Sequence, residues 1–221
     1  MIIIRFINLF LLAFLGAGCS LFGVRNEEQP KYKVLFKEDK HEVREYQSHI
    51  IAKTTVQGSF EEAQSQGFKI LAGYIFGKNK SKTKIAMTSP VVQKADSPSE
   101  KISMTAPVVI APDKLTEQSQ VSSWTMTFSL PSKYSLEDLP TPNDQRVIIE
   151  QVPSRYVAAT LFSGFWNESK NKKIGFELLK WLEQKNQFKA ISEPMFAGYN
   201  PPWTLPFFRR NEMLIEIEAV R

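Results

Sequence analysis

Two segments that lie 106 residues apart, SHIIAKTTVQG (residues 48–58) and SRYVAATLFSG (residues 154–164), share one pattern. Four of their eleven positions are identical, and apolar positions mostly match apolar ones. Both are rich in β-branched or other apolar residues, which predicts a strand in each. A helical pattern follows each strand. Four identities could arise by chance, but the repeated order of elements favours a duplicated module.

Two amphipathic helices are predicted after these strands. In the first, Ser59 and Glu62 have the spacing of a capping box, and Gly77 is a typical helix end. The second helix begins near Asn167 and ends near Asn186. Apolar residues recur at helical spacing in both helices. These residues are Phe60, Ala63, Gly67, Leu71 and Ile75 in the first, and Ile174, Leu178, Trp181 and Leu182 in the second.

Further strands are predicted before and after each helix. They cover residues 32–46, 124–130, 195–199 and 213–220, and the proline-rich residues 131–142 connect the two halves. This pattern predicts an α+β fold, in which two helices pack on an antiparallel sheet that is closed or nearly closed.

A second repetition lies between the halves: KIAMTSPVV (residues 84–92) and KISMTAPVV (residues 101–109) are identical at seven of nine positions. Each segment predicts a strand interrupted by proline, because Pro90 and Pro107 cannot donate a ladder hydrogen bond. The polar residues 93–100 between them predict a hairpin with a long loop.

Composition and charge limit the classes of function that are expected for the chain. The 221 residues suit one ordinary domain or two small ones, and a hydrophobic content of 43% indicates a folded chain. The formal net charge is +5, but the basic residues are scattered along the sequence. Nucleic-acid binding is therefore not expected, because it requires a clustered basic surface.

Residues 1–18 predict a signal peptide. Arg5 carries a positive charge, and an apolar run and small residues then precede Cys19, the only cysteine. The run is shorter than the roughly 20 residues of a membrane span but suits a signal peptide. The stretch LGAGC resembles a bacterial lipoprotein signal, although Gly16 stands where leucine is usual. Plain secretion and an uncleaved anchor remain alternatives.

Lipidation of Cys19 would have two consequences. Residues 19–31 would form a polar tether that holds the domain (residues 32–221) to a membrane of the bacterial cell envelope, on the periplasmic side. The mature protein would also have no free thiol, which argues against cysteine catalysis and cysteine metal sites.

Several motifs in the sequence resemble the SOUL haem-binding family, in its bacterial and plant branch. They are the two KI-x-MT-x-PVV segments, WTMTFSLPSKYSLEDLP (residues 124–140), VP-x-R (residues 152–155) leading to FSG (residues 162–164), and AGYNPPWTLPFFRRNE (residues 197–212). The resemblance extends from about Tyr32 to the end of the chain. It implies two βαββ-like repeats that form a distorted antiparallel β-barrel flanked by two helices. It also implies non-covalent binding of haem or a similar planar tetrapyrrole, in a cleft beside the first helix and the loop before the last strand.

The sequence departs from studied members of this family at positions that contact haem. Glu45 stands where one member has a proposed axial histidine. Ser65, Gly73 and Thr204 stand where another member has basic residues near the haem propionates. The resemblance therefore supports the fold more firmly than it supports haem.

Motifs of common enzymes are absent from the sequence. The two histidines, His41 and His49, belong to no closely spaced set of metal ligands, and His49 aligns with Arg155 in the repeat, which suggests a solvent-facing position. The chain has no nucleophile elbow, P-loop or dinucleotide fingerprint. We expect neither a catalytic residue nor a metal site.

An aromatic, proline-rich loop near the C-terminus is the main candidate for binding. Flat rings and guanidinium groups suit a planar apolar ligand with carboxylate tails; alternatively, the loop plugs one end of the barrel. Met87 and Met104 either line the same cavity, because methionine adapts to irregular shapes, or belong to the core. The predicted ligand-binding residues are Phe68, Ala72, Met87, Met104, Tyr199, Trp203, Phe207, Arg209 and Arg210.

Two main hypotheses for the function follow. The first is a binder or carrier of haem or a related tetrapyrrole at the cell envelope. The second is an envelope interaction or sensing module that uses the same cleft for another hydrophobic ligand or for none. A small enzyme that acts on a tetrapyrrole is a more distant third.

Overall fold

The computed structural model describes residues 27–81, 99–112, 123–165 and 167–220. Its two helices are α1 (Phe60–Ile75) and α2 (Glu168–Lys185), and a short 3-10 turn covers Pro206–Phe208. The strands are β1 (Tyr32–Glu38), β2 (His41–Tyr46), β3 (His49–Gln57), β4 (Asn79–Lys80), β5 (Val108–Pro112), β6 (Ser123–Ser129), β7 (Thr141–Pro142), β8 (Ile148–Val152), β9 (Arg155–Phe162), β10 (Phe188–Ala190), β11 (Met195–Gly198) and β12 (Asn211–Ala219).

Ten strands form one antiparallel sheet with the order β1-β2-β9-β12-β11-β5-β6-β3-β8, and β10 pairs with β12. The order is nearly symmetric about the β11–β5 pair. The duplicated strands β3 and β9 occupy equivalent places, because β3 pairs with β6 and β8 while β9 pairs with β12 and β2. The sheet curls into a half-barrel, and no pairing among the described strands joins β1 to β8. The predicted α+β, barrel-like fold with a duplicated module is confirmed.

Both helices begin at the predicted caps. The Ser59 hydroxyl accepts a hydrogen bond from the Glu62 amide at 3.3 Å, and the Glu62 carboxylate accepts one from the Ser59 amide at 3.0 Å. These two bonds form the predicted capping box. Asn167 caps α2 by accepting from the Lys170 amide at 2.8 Å. Each cap satisfies an amide that has no partner inside the helix.

Both helices cover the same face of the sheet, which we call the helix face. Helix α1 packs on β3 and β6, and α2 packs on β9, β10 and β12. Because side chains alternate along a strand, neighbouring residues of one strand point to opposite faces of the sheet. Met213 packs under α2, whereas Glu212 and Leu214 point to the opposite face.

The second KI-x-MT-x-PVV segment differs from its prediction, since only its end, from Val108 onward, is a strand. The backbone before Val108 makes its hydrogen bonds outside the sheet. The Ile102 amide donates to the Ile75 carbonyl, and the Ala106 amide donates to the Glu28 carbonyl. Ile102 is buried and Met104 is 36% exposed, so the two do not share an environment. The first segment, residues 84–92, lies outside the described residues, so the predicted hairpin remains a prediction.

The last residues of the predicted tether contact the domain. The Gln47 amide donates to the Lys31 carbonyl at 2.9 Å, and the Glu28 carboxylate accepts from the Ser132 amide at 3.0 Å. None of the helices in the described part of the chain is long and apolar enough to cross a membrane.

Candidate functional site

A groove of about 550 Å³ opens on the helix face, between α1 and the chain that leads into β12. Its walls come from α1, β5, β6, β11 and the segments around β12. The lining residues are Phe60, Glu61, Gln64, Ser65, Phe68, Lys69, Val108, Ile110, Met126, Phe165, Phe196, Gly198, Asn200, Pro202, Arg209 and Asn211. The volume lies within the roughly 300–1,000 Å³ that is usual for small-molecule sites.

Helix α1 presents one stripe of side chains to the groove. Residues 60, 61, 64, 65, 68 and 69 recur at spacings of three and four, which places them on one side of a helix. Phe68 is 39% exposed and its ring meets the edge of Phe128 with centroids 5.5 Å apart. Gly67 allows α1 to lie close to β6, because a Cβ there would lie 3.1 Å from the Met126 Cβ. The floor of the groove is therefore mainly apolar.

Polar groups stand at the side of the groove formed by residues 200–211. Arg209 donates from Nε to the Thr204 carbonyl at 2.8 Å and from Nη2 to the Pro202 carbonyl at 2.5 Å. Its guanidinium also lies 5.3 Å from the centre of the Phe165 ring. The amide nitrogen Nδ2 of Asn200 is buried without a hydrogen-bond partner. Lys69 adds a second positive charge across the groove.

The opposite face of the sheet carries a cluster of hydrogen-bonded side chains, which we call the Arg44–Glu212 network. Its members are Glu42, Arg44, Tyr199, Arg210 and Glu212. Fully buried Arg44 makes a two-fold hydrogen bond with Glu212, at 2.7 and 3.1 Å. The hydroxyl of Tyr199 donates to Glu212 at 2.7 Å, and Nε of Arg210 donates to it at 2.8 Å. Arg44 also bonds Glu42 at 2.8 Å. The carboxylate of Glu212 is thus fully engaged within the fold.

The network shifts the pKa of its members. Burial raises the pKa of Glu212, but hydrogen bonds and charge from Arg44, together with the charge of Arg210, outweigh burial and hold this pKa below its usual 4.5. Burial, with the charge of Glu212, raises the pKa of the Tyr199 hydroxyl well above its usual value. Glu212 therefore stays ionised and Tyr199 stays protonated near neutral pH.

The predicted ligand-binding residues that the structure describes fall into four places. Phe68 and Arg209 line the groove, and Ala72 is a buried residue of α1, one turn beyond Phe68. Tyr199 and Arg210 belong to the Arg44–Glu212 network. Met104, Trp203 and Phe207 are exposed, the last two at 62% and 65%. Met87 and the predicted lipidation site Cys19 lie outside the described residues.

Sequence reasoning missed much of the groove. Val108, Met126 and Phe196 lie in predicted strands and Ile110 directly follows one, but none of them was assigned to a site. Their alternation with Val109 and Ala197, which face the other way, could have identified them. No sequence pattern marked Lys69, and Asn200 lies in the loop motif (residues 197–212) without having been assigned to the site, because their role depends on which strands the fold brings together.

Neither histidine lines the groove. His49 borders a separate, polar cavity of about 320 Å³, and its Nδ1 lies 2.9 Å from the Gln47 carbonyl. His41 stacks on Trp181 at 4.9 Å and its Nδ1 lies 2.7 Å from the Thr160 hydroxyl. The described residues that line the groove include no histidine, cysteine or tyrosine. In the same described part of the chain, no three His, Cys, Asp or Glu residues cluster as a metal site.

Fold and site together define an α+β half-barrel protein with an open apolar groove beside its first helix. The family model described as SOUL heme-binding protein matches residues 27–99 and 92–216. The chain belongs to this family. The expected family membership is confirmed.

Curated relatives agree with this assignment. The chain is 30% identical to Heme-binding protein 1 of Xenopus laevis over 198 residues, which cover 87% of this chain and 92% of that protein. It is also 30% identical to Heme-binding protein 2 of Mus musculus over 178 residues, covering 78% of this chain and 76% of the relative.

Solved structures show the same fold at low sequence identity. The C-terminal domain of EcmrR has a TM-score of 0.55 at 12% identity, with 86% of this chain and 99% of that domain covered. A hydrolase from Listeria innocua has a TM-score of 0.50 at 11% identity, with 83% and 94% covered. These likenesses concern the fold alone.

Proposed function

We propose that the groove binds haem or a related tetrapyrrole. The observation that carries the proposal is the groove itself: its floor is apolar, Phe68 stands at one wall and Phe165 at another, and its volume is about 550 Å³. Flat aromatic and aliphatic walls suit a planar apolar ring. The names of the relatives, which are heme-binding proteins, support this ligand class.

The groove residues also fit the carboxylates of a tetrapyrrole. Arg209 and Lys69 supply two positive charges at its edge against the single carboxylate of Glu61, and Asn200 adds an amide whose Nδ2 has no hydrogen-bond partner in the fold. Lys69 lies one helical turn beyond Ser65, where a basic residue of another family member is replaced. Charge-assisted hydrogen bonds from these groups would orient the ring.

The side chains that line the groove predict recognition of the tetrapyrrole ring rather than of a central iron. Histidine, cysteine, methionine and tyrosine are the usual axial ligands of haem iron, and of these the described lining offers only Met126, which is 1% exposed at the floor of the groove. When bound, haem would supply a redox-active iron. The chain's own residues would bind the apolar faces, hold the carboxylates and exclude water. The family description names a ligand and no reaction, and we propose no catalytic role.

Titration with haemin and with metal-free protoporphyrin tests the proposal. Both should quench the intrinsic fluorescence saturably at one site, with dissociation constants within about tenfold of each other, because the lining offers iron no axial ligand beyond the buried thioether of Met126. Lys69→Gln should weaken both alike, and Lys180→Gln, an exposed change on α2, serves as the control. Saturable binding of neither porphyrin would overturn the proposal.

An interaction or sensing role is the second candidate. Trp203 and Phe207 are large, exposed aromatic residues beside the groove, and aromatic residues are enriched at protein interfaces. If porphyrins do not bind but Trp203→Ala abolishes a protein interaction in the envelope, this candidate is favoured.

For the location, the proposal is lipid anchoring at Cys19 in the bacterial cell envelope. Its support is the apolar run that precedes a lone cysteine. Cys19→Ser should release the protein from the membrane fraction and change the mass of the mature chain. Unchanged processing and membrane association would contradict this part of the proposal.

A further inference from the structure

A second, smaller cavity of about 200 Å³ lies between α2 and the sheet. We call it the Asn171 cavity. It is lined by Phe60, Ile110, Pro112, Trp124, Glu168, Asn171, Lys172, Phe176, Leu179, Glu193, Pro194, Phe196 and Met213. Phe60, Ile110 and Phe196 line the groove as well, so the two spaces adjoin.

Two side chains in this cavity have polar atoms without partners. Asn171 is 8% exposed, and neither its Nδ2 nor its Oδ1 makes a hydrogen bond. Trp124 is 7% exposed, and its indole Nε1 is also unpartnered. Buried polar groups are nearly always hydrogen-bonded in proteins, and a buried polar group without a hydrogen bond destabilises the fold. Both side chains line the cavity, and a rotation that turned these two donors and one acceptor towards it would let a bound molecule satisfy them, which points to a ligand.

The rest of the cavity limits the chemistry of that ligand. Its walls are mainly aromatic and aliphatic, and Phe176 stands exposed at its edge. The charges of Glu168 and Lys172 neutralise each other in an ion pair of 2.7 Å. Glu193, the remaining charged residue of the lining, is exposed to solvent, so a charged ligand would gain little, while an uncharged apolar ligand would fill the space.

We propose that the Asn171 cavity binds a small, neutral, apolar molecule that carries a carboxamide-like group. The carbonyl of such a group accepts a hydrogen bond from Trp124 Nε1 or Asn171 Nδ2, and its N–H donates to Asn171 Oδ1. The volume corresponds to about six or seven water molecules at roughly 30 Å³ each. That space suits a single ring with one substituent and is too small for a tetrapyrrole.

Benzamide is a suitable probe, with toluene as a control that has the ring but no amide. In a titration of the isotope-labelled protein followed by NMR, benzamide should shift the Trp124 indole and Asn171 side-chain resonances saturably. Its dissociation constant should be at least tenfold lower than that of toluene, because only benzamide satisfies the unpartnered atoms.

Two variants test the assignment. Asn171→Leu and Trp124→Phe should each reduce the preference for benzamide over toluene by about tenfold. Asn171→Leu should also raise the urea midpoint, since it removes an unsatisfied buried amide. Trp181→Phe is the matched control, because it loses an indole N–H outside this cavity and should keep the preference.

Three outcomes would overturn the proposal. They are equal affinity for benzamide and toluene, an unchanged preference in Asn171→Leu, or no saturable shift with either probe. The last result would mean that water alone occupies the cavity.

Discussion

The groove and the Arg44–Glu212 network lie on opposite faces of one sheet and are built from consecutive residues. Arg209 lines the groove, while Arg210 donates to Glu212. Met213 packs under α2, while Glu212 is fully buried on the other side. In the network every carboxylate is paired. On the helix face, space and unpartnered polar atoms remain. If the proposed function is right, the polar groups of the network serve stability, whereas those beside the groove and the Asn171 cavity serve binding.

The largest effect is expected from breaking the network. Glu212→Ala leaves Arg44 buried and without its main partner. Removing one member of a buried pair typically destabilises a protein by about 3–5 kcal/mol, and chemical denaturation would measure this loss. Glu150→Ala, which removes the surface pair with Lys53, should cost less than about 1 kcal/mol. Equal losses in the two variants would contradict the comparison.

The same network makes stability depend on pH. Because the pKa of Glu212 is held below 4.5 in the folded chain, its contribution is present above pH 4.5 and declines as the pH falls through its folded value. Glu212→Gln should flatten this acid dependence of the denaturation midpoint. An unchanged acid profile would show that Glu212 does not supply it.

Binding, rather than stability, should respond to changes in the groove. Phe68→Ala removes a large apolar surface from its wall and should weaken porphyrin binding by about 1–3 kcal/mol. The control is Phe76→Ala at the end of α1, where the ring is 59% exposed and outside the groove. If both variants bind protoporphyrin like the parent in a fluorescence titration, the ligand does not lie against α1.

Smaller losses of folding stability are expected when the cap of either helix is removed. Ser59→Ala removes the acceptor for the Glu62 amide and should cost about 0.5–2 kcal/mol of folding stability. Asn167→Ala at the start of α2 should cost a similar amount. Urea denaturation would measure both. A midpoint unchanged within error in either variant would mean that its cap contributes no net stability.

The smallest effect is expected at His49. It borders the polar cavity rather than the groove, so His49→Ala should change haemin affinity by less than about 0.5 kcal/mol, as is usual for substitutions away from a site. A loss of haemin binding with retained protoporphyrin binding would instead identify His49 as an iron ligand.

Local rules in the sequence predicted most of the fold. The capping box at Ser59, the ends of α2 and strand β3 follow from spacing and residue type, and the structure has them within a residue or two. The repeat at residues 48–58 and 154–164 also predicted the equivalence of β3 and β9. The irregular backbone before Val108 was not predictable, because its hydrogen bonds go to Ile75 and Glu28, which are distant in sequence.

The site was predictable only in part. The family resemblance placed the first helix, with Phe68, beside a ligand, and the loop motif placed Arg209 there. The same motif could not separate Arg209 from Arg210, because their difference depends on the position of Glu212 and Tyr199 across the sheet. The Asn171 cavity arises where α2 meets strands from both halves, and no local pattern marks it.

Paramagnetic mapping of a bound porphyrin tests the central claim most directly. Manganese(III) protoporphyrin is added to the isotope-labelled protein, with zinc protoporphyrin as the diamagnetic control, and the broadening of each backbone amide is measured. Saturable broadening concentrated at residues 60–69 and 200–211 is the predicted result. Broadening centred on the polar cavity near His49, or broadening without saturation, would contradict the assignment of the groove as the tetrapyrrole site.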